Sequence, residues 1–184
     1  MLNKDMTKAD IDEALKGKGD YVKIDYLDRF LKSNPPLEKK KYAYQKLAEV
    51  YEQRGMFLDA AKCYNSISLC SITFAEKIKS HVKEAELSIK GGNLHNADEA
   101  MKKALGESNS AERENVKKAI KEFYKKQAEA YEKDNRRSHA LKIYEKLLLM
   151  GPSDQEREEI KAKLTKLYEQ TGRLKDYFRL KGSK

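Results

Sequence analysis

The fold is decided by residues 41–74, which have the sequence KYAYQKLAEVYEQRGMFLDAAKCYNSISLCSITF. Their first half places apolar and small residues at spacings of three, four and seven, at Tyr44, Leu47, Ala48 and Tyr51. Such spacing follows one face of an α-helix. Gly55 interrupts the pattern, and a second apolar stripe starts at Ala60. The segment therefore predicts two helices joined by a short turn.

The same arrangement recurs along the chain. Residues 121–154 repeat it, and further helix-ending residues follow periodic stripes at Gly92, Asn135 and Gly172. Glycine and asparagine tolerate the left-handed backbone needed where a helix stops. The interval between the second and third turns is longer than the others, and the polar stretch 106–110 predicts a longer loop there. No stretch shows the alternation typical of strands, so the sequence predicts an all-α fold.

Residues 41–74 and 121–154 resemble tetratricopeptide repeats (TPRs) in their aromatic, small and turn positions. Both units place small residues where two helices would touch, at Ala48, Ala60, Ala128 and Ala140. Residues 78–111 and the terminal unit 158–181 match the pattern in part, and 4–36 form a degenerate hairpin with a turn near Gly17–Asp20. The resemblance implies one helical-repeat domain over 1–184. Its expected architecture is a right-handed α-solenoid of about five antiparallel hairpins, a TPR-like superhelix.

The composition indicates a chain with a large solvent-exposed surface for its length. Charged residues make up 38% of the sequence, hydrophobic residues 39%, and the formal net charge is +9. Such a balance suits thin stacked layers better than a compact globule. The basic tail, residues 173–184, carries almost half of the excess charge. That tail is either a site for an anionic partner or a solvated end, and the sequence leaves both open.

No constellation for catalysis or metal binding emerges from the sequence. The histidines His81, His95 and His139 lie apart in the sequence without a carboxylate or thiol pattern, and Cys63 and Cys70 form no metal-binding motif. We therefore expect no enzyme activity, no cofactor and no metal. No signal-peptide pattern and no long apolar run is present, which predicts a cytoplasmic protein without a transmembrane segment.

The family resemblance implies a scaffold or adaptor that holds a peptide or helix of another protein in a concave groove. Its groove positions correspond here to Gln45, Glu49, Glu52, Val82, Glu86, Ile89, Lys125, Glu129, Glu132 and Lys166. With the lysines at Lys46, Lys83, Lys126 and Lys163, these positions suggest an acidic floor beside a lysine ridge, suited to a partner of mixed or basic charge. Alternatively, Lys46–Glu49, Lys83–Glu86 and Lys126–Glu129 are ordinary pairs within one helix. Likewise, Val82 and Ile89 form either an apolar binding spot or part of the core.

The sequence also bears on three other kinds of partner. Relatives that bind acidic chaperone C-terminal tails carry a clamp of basic and amide groups. Gln45, Glu49 and Glu122 occupy those positions here, so we expect no such binding. The basic run from Lys117 to Lys126 leaves association with RNA or a ribonucleoprotein as the alternative function. Self-association is a third possibility.

Overall fold

The computed structural model describes residues 2–182, and this part of the chain is all-helical. The first five helices are α1 (Lys8–Leu15), α2 (Asp20–Lys32), α3 (Leu37–Gln53), α4 (Phe57–Leu69) and α5 (Phe74–Lys90). The next five are α6 (Leu94–Glu107), α7 (Ser110–Lys133), α8 (Arg137–Leu149), α9 (Asp154–Gln170) and α10 (Leu174–Gly182). No strand occurs within residues 2–182, which confirms the predicted all-α class.

The chain divides into two compact units, and the division falls inside α7. The first unit runs to Val116 and the second begins at Lys117. Within the first unit, α3 packs on α2 and α4, and α5 packs on α4 and α6. Within the second, α9 packs on α8 and α10. Each of these contacts joins helices that are neighbours in the sequence.

The turns lie at the predicted residues and share one hydrogen-bonding pattern. Gly55, Gly92, Asn135 and Gly172 all have a positive φ, between 55° and 78°. After Gly55, the N–H of Met56 donates to the carbonyl of Tyr51 at 2.8 Å. The equivalent bonds follow the other three turns at 2.8–2.9 Å. This is the Schellman arrangement, which satisfies carbonyls at the end of a helix and fixes where the next helix starts.

The predicted loop at 106–110 is wrong. The α6 helix continues through Gly106 to Glu107, and α7 already begins at Ser110. Asn109 caps α7: its side chain accepts from the N–H of Glu112, whose carboxylate accepts from the N–H of Asn109. The additional residues extend α7 to 24 residues, against 17 in α3, α5 and α9. Good helix formers around Ala111 and Glu112 favour this outcome over a loop.

The alanines predicted at helix contacts are all buried. Ala48, Ala60, Ala128 and Ala140 have no exposed surface. In the first unit, one core cluster combines α1 to α4 through side chains such as Ile11, Phe30, Leu47 and Cys63. A second cluster joins Ala60 and Ala61 to Leu87 of α5. Small residues at these positions let the helix backbones approach closely.

A pair of glycine substitutions tests the turn geometry. Gly55→Ala should lower the free energy of unfolding by about 1–2 kcal/mol, because a Cβ is unfavourable in the left-handed region. A Cβ there would meet no atom within 4 Å, so the cost lies in the backbone alone. Gly106→Ala, inside α6, serves as the control and should stabilise the protein by up to about 1 kcal/mol. Urea unfolding followed by circular dichroism measures both, and equal effects would contradict the turn assignment.

Replacement of the buried alanines tests the packing. Ala48→Leu and Ala128→Leu should each lower the unfolding free energy by about 1–3 kcal/mol, because the helix contacts cannot accommodate the added volume. Ala130→Leu, at an exposed position of the same α7 helix, is the matched control and should have little effect. The measurement is thermal unfolding of all three variants. Unchanged melting temperatures for Ala48→Leu and Ala128→Leu would refute the packing assignment.

Candidate protein-binding grooves

Three grooves lie between successive odd-numbered helices. The α1–α3 groove, about 520 Å³, contains Asp12, Lys46 and Glu49. The α3–α5 groove, about 450 Å³, contains Gln45, Val82 and Glu86. Both belong to the first unit. The α7–α9 groove lies wholly within the second unit and is the largest, at about 680 Å³.

The α7–α9 groove combines an apolar floor with lysines. Its apolar lining consists of Tyr144, Leu147, Pro152, Ile160 and Ala162. Its charged lining consists of Lys118, Lys121, Lys125, Lys163 and Lys166, with Glu122, Glu129, Glu156 and Glu159. The lysines and carboxylates are nearly equal in number. The charge that this groove offers to a partner therefore depends on which groups are already engaged.

Two of its carboxylates are bound to neighbouring groups. Glu156 accepts a hydrogen bond from the backbone N–H of Ser153 at 2.8 Å, in a capping box at the start of α9. That bond is the main reason why the pKa of Glu156 lies below its ordinary value, with Lys121 and Lys125 adding to the effect. Glu122 pairs with Lys126 of its own helix at 3.8 Å. Both carboxylates are thus already engaged within the protein.

The lysines divide into engaged and available groups. The Lys121 ammonium donates to the carbonyl of Gly151 at 2.7 Å, and Lys163 pairs with Glu132 at 2.9 Å. By contrast, Lys118, Lys125 and Lys166 have no carboxylate within 4.0 Å among residues 2–182. These three ammonium groups border the apolar floor. The groove therefore combines an apolar floor with three lysines that, among the described residues, form no ion pair within 4.0 Å.

The structure distributes the predicted groove residues over several places. Lys125, Glu129 and Lys166 come together in the α7–α9 groove. Gln45, Val82 and Glu86 meet in the α3–α5 groove, whereas Glu49 lies in the α1–α3 groove. Ile89 has no exposed surface and belongs to the core, so its placement on a binding surface is wrong. The predicted apolar spot of Val82 and Ile89 does not exist as a surface.

Glu52 and Glu132 join helices instead of facing a groove. The hydroxyl of Tyr64 donates to Glu52 at 3.1 Å, and the Lys83 ammonium lies 3.1 Å from the same carboxylate. Glu132 has the same two kinds of partner, Tyr144 and Lys163. Burial, reinforced by the adjacent glutamate, raises the pKa of both tyrosines, so each stays a neutral donor. The sequence signal was present, because tyrosine follows glutamate by 12 residues and lysine by 31 in both copies.

The structure also shows which carboxylates the ridge lysines Lys46, Lys83, Lys126 and Lys163 pair with. Lys46 pairs with Asp12 of α1 at 3.1 Å as well as with Glu49 of its own helix at 3.7 Å. Lys83 bridges Glu52 and Glu86, each at 3.1 Å. The predicted Lys126–Glu129 pair is replaced by Lys126–Glu122. Three of the four ridge lysines therefore hold one odd-numbered helix to the preceding one, and a purely intrahelical interpretation is incomplete.

His81 lies in a buried polar cluster that was not expected from the sequence. Its Nδ1 is 2.9 Å from a carboxylate oxygen of Glu84, and both residues are buried. The other oxygen of Glu84 lies 3.2 Å from the Lys103 ammonium, which donates to Asn65 at 2.8 Å. The expectation that no carboxylate accompanies the histidines is thus wrong for His81. The signal was the pair His81 and Glu84, three apart on a helix.

The remaining features concern the two cysteines, possible metal ligands and possible membrane-spanning helices. Cys63 and Cys70 are free and buried, and burial raises the pKa of the Cys63 thiol to about 12. Such a thiol is a poor nucleophile at neutral pH. Within residues 2–182, no three His, Cys, Asp or Glu side chains are grouped as metal ligands. In the same part of the chain, no helix is both long and apolar enough to cross a membrane.

Comparison with protein families and with curated proteins identifies no relative of this chain. No protein-family model matches the sequence, and no curated protein is significantly similar to it. The likeness to tetratricopeptide repeats therefore rests on the quoted residues and remains a resemblance.

Glu86 in the α3–α5 groove gives a pH-dependent prediction. Burial alone would raise its pKa, but Lys90 at 2.6 Å and Lys83 at 3.1 Å outweigh burial and hold the pKa below its ordinary value of 4.5. A depressed folded-state pKa stabilises the fold above the unfolded-state pKa, and this contribution is lost as pH falls through the folded-state pKa. Glu86→Gln should therefore cost on the order of 1 kcal/mol at neutral pH. The deficit should vanish in acid, once Glu86 of the wild type is protonated.

The measurement is urea unfolding of the wild type and Glu86→Gln over a pH series. Glu13→Gln is the control, because Glu13 also pairs with a lysine three residues away but is largely exposed. It should change stability little at any pH. A Glu86→Gln deficit that is independent of pH would contradict the ion-pair explanation.

Proposed function

We propose that this protein is a scaffold or adaptor that binds a peptide segment or helix of another protein, with the α7–α9 groove as its main site. The observation that carries the proposal is the apolar floor of this groove beside three unpaired lysines. We further propose that the helices form a right-handed, TPR-like solenoid of five antiparallel hairpins. The four equivalent turns and the equivalent glutamate–tyrosine–lysine clusters support that architecture.

The partner should carry acidic residues around an apolar anchor. Ile160 and Leu147 supply apolar surface, while Lys118, Lys125 and Lys166 provide ammonium groups that, in the described part of the chain, are not held in a close ion pair. Apolar contact in a pocket contributes most of the binding energy in typical interfaces, and surrounding charges select the partner and increase its association rate. This differs from the partner of mixed or basic charge expected from an acidic floor, because two of the glutamates are already engaged. Acidic C-terminal tails of chaperones are not among the expected partners, because Gln45, Glu49 and Glu122 replace the clamp of the chaperone-binding relatives.

Association with RNA is the second candidate, favoured by the same unpaired lysines. Recognition of single-stranded bases typically requires exposed aromatic faces for stacking. Among the described residues that line the α7–α9 groove, the single aromatic side chain is Tyr144, which is buried, and Tyr124 has no exposed surface. The groove thus offers cations for phosphate but no stacking platform, which favours the protein-binding function. The proposal includes a cytoplasmic location and no catalytic role.

Selection from a random peptide library tests the groove. We expect the selected peptides to combine carboxylates with an apolar residue. Lys125→Glu combined with Lys166→Glu should weaken their binding by at least about tenfold, as measured by fluorescence anisotropy. The control, Lys142→Glu with Lys175→Glu, makes the same charge change at exposed positions outside the groove and should retain binding.

Three outcomes would contradict the proposal. The first is selection of no peptide, and the second is equal loss of binding in both double variants, which would indicate only net charge. The third is tight, steeply salt-dependent binding of single-stranded RNA that the Lys125→Glu, Lys166→Glu variant alone loses. That result would assign the groove to nucleic acid.

A further inference from the structure

One end of the first unit exposes a group of large apolar side chains. Leu37 begins α3, Leu69 ends α4 and Phe74 begins α5. Because α3, α4 and α5 pack as sequence neighbours joined by short turns, these three positions share one end of the helical layer. Together with Ile72 in the α4–α5 loop they form what we call the apolar end. The exposed fractions are 52% for Leu37, 77% for Leu69, 87% for Ile72 and 66% for Phe74.

The apolar end is held firmly in place. The loop between α4 and α5 is anchored by Cys70 and Ser71, which are buried and lie between the exposed Leu69 and Ile72 in the chain. The hydroxyl of Ser71 donates to the carbonyl of Ile67 at 2.9 Å, and Thr73 caps α5 by accepting from the N–H of Glu76. These bonds fix the backbone at the loop. The exposed apolar side chains are therefore a consequence of the local structure, and the loop cannot easily turn them inward.

Positive charge surrounds the apolar end. Each glutamate in this region is bound to a lysine: Glu38 to Lys8 at 2.6 Å, Glu76 to Lys41 at 2.9 Å, and Glu107 to Lys77 at 3.6 Å. Two further lysines, Lys39 and Lys40, add positive charge beside these pairs. The Lys39 ammonium donates to the carbonyl of Lys4, and Lys40 lies close enough to Cys70 to oppose the burial-induced rise in the pKa of its thiol. The Lys77 ammonium also lies 5.6 Å from the centre of the Phe74 ring.

We propose that the apolar end binds an anionic lipid surface, with Leu69, Ile72 and Phe74 inserted among the acyl chains and the lysines at the headgroups. Protruding apolar tips with adjacent cations match the layered chemistry of a membrane interface, where apolar chains lie beneath charged headgroups. A second copy of this chain is a poorer fit, because the same lysines would face each other. This surface shares no residue with the α7–α9 groove, so the inference does not depend on the proposed function.

Cosedimentation with lipid vesicles is the first test. The wild-type protein should pellet with vesicles of phosphatidylcholine and phosphatidylserine, and much less with phosphatidylcholine alone. Leu69→Ser combined with Ile72→Ser should reduce binding at least about tenfold, because the apolar contribution scales with the methylene groups buried. The control, Leu174→Ser with Phe178→Ser, removes two exposed apolar side chains of α10 and should bind as the wild type does.

Fluorescence provides a second readout, because the protein contains no tryptophan. The emission of Ile72→Trp should shift to the blue on addition of anionic vesicles, whereas that of Phe178→Trp should not. Circular dichroism of each variant checks folding, and the substituted residues are all exposed.

Several results would overturn the proposal. Among them are failure of the wild type to pellet, equal loss in both double variants, and pelleting without an emission shift for Ile72→Trp, which would mean adsorption by charge alone. Self-association of the wild type that Leu69→Ser with Ile72→Ser abolishes, without any vesicle binding, would assign the surface to a second copy instead.

Discussion

The ends of the helices depend on residues that accept a left-handed backbone. At Gly55, Gly92, Asn135 and Gly172, that conformation turns the next N–H back onto a carbonyl five residues earlier. Each bond stops one helix and sets the direction of the next. The alanine contacts follow from this geometry, because closely approaching helices leave no room for larger side chains. The grooves follow as well, since within each unit these turns place α1 beside α3, α3 beside α5, and α7 beside α9.

The sequence predicted the helices and turns well because both depend on local rules. Apolar spacing located the stripes, and Gly55 or Asn135 marked the stops. The loop at 106–110 was misjudged because Gly106 and Ser110 are weak helix formers whose local preference is overridden within α6 and at the start of α7. The hairpin count, the handedness and the family resemblance stay predictions, as do the expected functional roles.

The candidate site was less predictable, because contacts between helices depend on distances that the sequence does not state. Glu52 and Glu132 occupy positions that suggested a groove, yet each forms a link between helices. Ile89 lies on α5 at a position whose side chain turns into the core. Only Lys125, Glu129 and Lys166 came together as one predicted group. The site depends on which charged side chains form no ion pair. That can be known only when the position of every neighbouring side chain is known.

The two cysteines have a practical consequence for following motion in this molecule. Both belong to the first unit, and no cysteine occurs after Cys70. Cys63 is buried in the cluster that joins α1 to α4, so a labelling reagent reaches it only when that cluster opens. Its reaction rate in native buffer thus measures the opening equilibrium of the first unit. The chain carries its own local reporter of unfolding.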